Sequence, residues 1–139
     1  MNASFEEKSV WITLASLLTV FGYYFVVAGG LLAEGVTELA PYLPLLVVTV
    51  VLLVVVLVAA HTIVAIASRP DGRDERDRII SWRAEHNSSW LLATGVLGAI
   101  FGLALSIEAV WIANGLMFAL FLSEVLGHSL QLFYYRRGL

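Results

Sequence analysis

Leu45–Ala67 reads LLVVTVVLLVVVLVAAHTIVAIA, a stretch with no charged residue and His61 as its one ionisable group. A bilayer's hydrocarbon core is about 30 Å thick and takes about 20 apolar residues as a helix. Valine is a weak helix former in water, but in lipid the backbone must satisfy its own hydrogen bonds, so helix is the only sensible conformation. Three further apolar runs have spanning length, at about 10–32, 88–107 and 110–133, the last carrying Glu124 and His128. The chain is 60% hydrophobic and 14% charged, with mean hydropathy +0.88. A soluble domain would carry about a quarter charged residues. The fold expected is an all-α integral membrane protein: one domain over 1–139, a four-helix transmembrane bundle, with a polar loop at 68–87.

The segments around these runs sharpen the picture. The leader MNASFEEKS is not net basic, and the apolar run from Val10 exceeds a signal peptide's, so the first helix reads as retained. Ala15, Thr19 and Gly22 give it a small-residue edge for close helix contact, and Tyr23 and Tyr24 are expected to turn hydroxyls inward. Gly35, Pro41 and Pro44 mark the first connection, and Pro70-Asp71-Gly72 a turn after the second span. Beyond that turn the charges alternate in sign, and Ile79, Ile80 and Trp82 make the segment amphipathic. A short cytoplasmic helix lying on, or running into, the third span is expected there. Gly95, Gly98 and Gly102 form a close-packing face suited to self-association, hence a homo-oligomer. The last turn falls at Glu108, with Asn114-Gly115 as the alternative corner.

Orientation follows from the basic residues. With four spans, Lys8, Arg69, Arg73, Arg76, Arg78, Arg83, Arg136 and Arg137 all fall on one side. The positive-inside rule makes that side cytoplasmic and places both termini inside. The two hairpins also echo each other. Ser9-Val-Trp11 answers Ser88-Ser-Trp90, and His61 and His128 each precede an arginine by eight residues, as two tandem helical hairpins would.

Candidate chemistry gathers in the fourth span. Asn114, Met117, Phe121, Glu124, His128, Gln131 and Tyr135 follow steps of three and four and so share a face. A carboxylate near the middle of a membrane helix costs roughly 2.5–3.5 kcal/mol on insertion scales, so Glu124 is expected to face protein or water. Glu124 and His128 then form a buried protonatable pair, serving helix packing or the movement of protons or small solutes. His61 and His128 allow a second reading, axial ligation of haem b, and His61, Glu124 and His128 together a third, a divalent metal site. Asp71, Asp74, Glu75, Asp77, Arg78 and Arg83 form a candidate docking surface for a cytoplasmic partner. There is no cysteine, which excludes thiolate chemistry, and the few basic residues are interleaved with acids, which argues against nucleic acid. No nucleophile elbow, phosphate loop or metalloprotease helix is present, so no enzyme activity is expected.

Ser4-Phe-Glu-Glu-Lys8 with Trp11, Asp74-Glu-Arg-Asp77, Trp111-Ile-Ala-Asn114 and Tyr135-Arg-Arg-Gly138 resemble stretches of a family of small, uncharacterised bacterial membrane proteins. The resemblance implies a four-span protein of the bacterial inner membrane. It implies no activity or ligand, and it does not extend to His61, Glu124 or His128.

Overall fold

The computed structural model describes residues 5–67 and 75–137. They form four helices: α1 (Phe5–Ala33), α2 (Tyr42–Ala67), α3 (Glu75–Ala104) and α4 (Ala109–Arg137). Each is long and apolar enough to cross a membrane. At ~1.5 Å per residue they run about 39–45 Å, longer than the hydrocarbon core. The excess is greatest in α3, which continues as helix back to Glu75. Of the stretch read as a polar loop at 68–87, residues 75–87 are therefore helical and run straight into the third span. Asp71, Asp74 and the Pro70-Asp71-Gly72 turn lie outside the described residues.

Two helix endings share one geometry. At the end of α1, Gly35 takes φ 79°, Val36 N–H donates to Leu31 C=O and Gly35 N–H to Leu32 C=O. At the end of α3, Ser106 takes φ 57°, Ile107 N–H donates to Gly102 C=O and Ser106 N–H to Leu103 C=O. Both satisfy carbonyls that the last helical turn would otherwise leave open. The last turn thus falls over 105–108, and Glu108 C=O accepts from Trp111 N–H at the start of α4. The alternative corner, Asn114-Gly115, is inside α4.

The helices pack in the order α2–α1–α4–α3, with the extensive contacts at α3·α4, α1·α2 and α1·α4. The bundle is open, not a closed square in which α2 and α4 lie across a diagonal. One core joins Tyr24 and Ala28 of α1, Tyr42 of α2 and Val110 of α4. A second, at the other end, joins Val10 and Leu14 of α1 to Leu132 of α4. A cluster of Phe21, Phe25, Phe118 and Phe121 rings fills the α1–α4 seam between them.

The α3–α4 seam is the tightest. A Cβ on Gly95 would collide with Ala119 Cβ, and one on Gly102 would meet Ile112 Cγ1 at 3.2 Å. Gly98 has nothing within 4 Å. Gly95 and Gly102 thus serve the α3–α4 contact within the chain, while Gly98 on the same face is open. Across α1–α2 the packing is looser. Ala15 and Thr19 are exposed, and nothing lies within 4 Å of a Cβ on Gly22, so this edge makes no close contact. Ala15 and Thr19 instead line an open groove with Tyr23, Leu52 and Val56. Tyr24 is buried as expected, whereas Tyr23 turns outward and is 53% exposed.

A candidate polar groove between α3 and α4

Glu124, His128 and Gln131 line a groove of about 350 Å³ between α3 and α4. α4 contributes Ser123 and Gly127 as well. The opposite wall is Ser81, Ala84, Glu85, Ser88, Ser89 and Leu92 of α3. Its narrow floor is where Ser88 Oγ would stand 2.9 Å from a Cβ on Gly127. A side chain at this position would have to displace the Ser88 hydroxyl. Ser123 Oγ donates to Ser88 C=O at 3.2 Å, a direct tie between the walls.

The single stripe expected on α4 is divided between two neighbours. Asn114 Oδ1 accepts from Tyr24 OH of α1 at 3.0 Å, and Asn114 Nδ2 donates to Val110 C=O at 2.9 Å. Met117 and Phe121 also pack on α1. Glu124, His128 and Gln131 face α3 instead. Tyr135 bridges both, its ring against the Val10–Leu14 core and its hydroxyl donating to Asp77 at 3.0 Å.

Glu124 is not deeply buried. Its side chain is 46% exposed and that of His128 24%. His128 Nδ1 lies 2.8 Å from Glu124 C=O but 3.9 Å from Glu124 Oε2. The backbone carbonyl is the hydrogen-bond partner, and the carboxylate is beyond hydrogen-bonding range. A proton on Nδ1 satisfies that bond and leaves Nε2 to the groove.

His61 is elsewhere. Its Nδ1 lies 2.7 Å from Leu57 C=O and its Nε2 3.3 Å from Thr13 Oγ1 of α1, an α1–α2 contact. Each histidine thus bonds the carbonyl four residues before it, but His61 does not line the His128 groove. The structure therefore does not bring His61 and His128 together as a haem would require. No group of three His, Asp or Glu among the described residues could hold a metal, so His61, Glu124 and His128 are not assembled as one.

Sequence reasoning did not pair Glu124 with the α3 wall, which joins the expected short cytoplasmic helix to the start of the third span. A signal was present: Ser81, Glu85, Ser88 and Leu92 recur at helical spacing, continuous with the third span. Elsewhere on α3, Trp82 stacks on His86 with centroids 5.6 Å apart, and Asn87 Nδ2 donates to Tyr134 OH at 2.8 Å. The Arg136 guanidinium sits 5.7 Å from the Trp11 ring centroid, so the start of α1 and the end of α4 meet at this end. Arg78 and Arg83 are exposed on α3 nearby.

No protein-family model, curated protein or solved structure matches the chain. The resemblance to a bacterial four-span family thus rests on the quoted stretches alone.

Proposed function

We propose that the chain is a non-enzymatic, multi-pass protein of the bacterial inner membrane with both termini cytoplasmic. Its α3–α4 groove around Glu124 and His128 admits small polar solutes or protons from the cytoplasmic side. The observation that carries this is a polar groove where α3 passes from its charged first turns into its apolar run, with the half-exposed carboxylate of Glu124 on the facing wall. The groove lies toward the end where Lys8, Arg78, Arg83, Arg136 and Arg137 gather, the side that positive-inside bias assigns to the cytoplasm.

Because the chain has no cysteine, single cysteines report accessibility cleanly. In inverted membrane vesicles a membrane-impermeant maleimide is expected to label Gln131→Cys and to spare Val55→Cys on the lipid face of α2. Failure to label Gln131→Cys from either side would sink the proposal.

A second reading is a docking arm for a cytoplasmic protein. It is favoured by the helical extension of α3 from Glu75, which carries exposed Arg78, Trp82 and Arg83 beyond the apolar span. Reversing charge with Arg78→Glu and Arg83→Glu should release a co-purifying partner. Unchanged composition of the purified complex would count against it.

A further inference from the structure

The hydrogen-bond directions in the groove define what it can hold. Ser88 Oγ–H donates to Glu85 C=O at 3.1 Å, Ser89 Oγ–H to His86 C=O at 3.0 Å and Ser123 Oγ–H to Ser88 C=O at 3.2 Å. A hydroxyl has one proton and two lone pairs. These three serines have therefore spent their protons on backbone carbonyls and present oxygen lone pairs alone. His128 with its proton on Nδ1 presents Nε2 as another acceptor. Glu85 and Glu124 add two carboxylates, one from each wall. Ser81 and Gln131 are the lining side chains left to donate, and no Lys or Arg lines the groove. Ala84, Gly127 and Leu92 supply an apolar patch beside this polar set.

The geometry points to a binding site for a small organic cation rich in N–H donors, a primary ammonium or guanidinium on a short alkyl body. This rests on the groove's being open to solvent, as proposed above. A bare divalent cation is a poorer fit, because no three charged ligands converge among the described residues. An anion would meet two carboxylates. A neutral acceptor-bearing solute would find few donors. A donor-rich cation satisfies the serine, imidazole and carboxylate acceptors together, and charge-assisted bonds to carboxylate are the strongest of these.

The test uses full-length protein in inverted vesicles and protection of Gln131→Cys from maleimide by four probes: butylguanidinium, butylammonium, tetramethylammonium and butyrate. Butylguanidinium and butylammonium should slow labelling, tetramethylammonium much less because it has no N–H, and butyrate not at all. Adding Glu124→Gln should weaken protection about ten- to a hundredfold. Glu85→Gln alters an exposed carboxylate on the other wall and serves the same purpose should Glu124→Gln not fold. Labelling that no probe slows, or that butyrate or tetramethylammonium slows equally, would overturn the assignment while leaving the groove solvent-open. Absence of labelling would remove the solvent-open groove itself, and the cation site with it.

Discussion

Ser106 is a residue held where its side chain is unwelcome. At φ 57° it occupies the left-handed region, which the turn after α3 requires and which glycine adopts without a Cβ penalty. The equivalent position after α1 already is glycine, Gly35 at φ 79°. Ser106→Gly should therefore stabilise the protein by up to about 1 kcal/mol, the left-handed strain relieved less glycine's extra unfolded-state entropy. Thermal unfolding in detergent measures this, and an unchanged or lowered midpoint would contradict it. The same scale explains why Glu124 was legible and its surroundings were not. Its charge stands out in any apolar helix. The wall facing it is rich in serine, a common residue that stands out only when a neighbouring helix brings it to the same groove.

For the elements, the decisive feature is unequal packing within the two hairpins. α3 and α4 close because Gly95, Gly102 and Gly127 let the backbones approach, whereas α1 and α2 leave an open groove. Gly95→Ala drives a methyl into Ala119 and should cost about 1–3 kcal/mol, as overpacking does. Gly98→Ala meets nothing and should be neutral or slightly stabilising through its higher helix propensity. Comparing the two melting temperatures checks both statements, and equal loss in the two variants would refute the close-packed seam. The glycine spacing was readable in sequence as a packing motif. Which helix it faced was not, because the motif is the same for a neighbour in the chain and for a second copy.

Over the whole molecule, α2 is an edge. Only 6% of its most apolar window is buried within the protein, and Val47, Val51, Val54, Val55 and Val58 face outward. Exposed apolar surface of that extent suits lipid and not water. Val55→Lys puts a charge midway along this face and should raise the insertion free energy by roughly 3 kcal/mol, seen as a lower membrane-inserted fraction. The same substitution at Arg83, already charged and exposed, should leave insertion unchanged. If Val55→Lys inserts as well as the unaltered protein, the face does not meet hydrocarbon.

The sequence by itself determined the number of helices, their membrane-spanning length and the turn near Glu108, because hydrophobic length and turn chemistry are local properties. It also located Glu124 and His128. Tertiary structure alone decided what surrounds them. The α4 stripe is divided between α1 and α3. Asn114 goes to Tyr24, Glu124 and His128 go to the α3 serines, and His61 goes to Thr13. Helical spacing puts residues on one face. Which neighbour that face meets, and where along the helix it changes neighbour, depends on how whole helices pack.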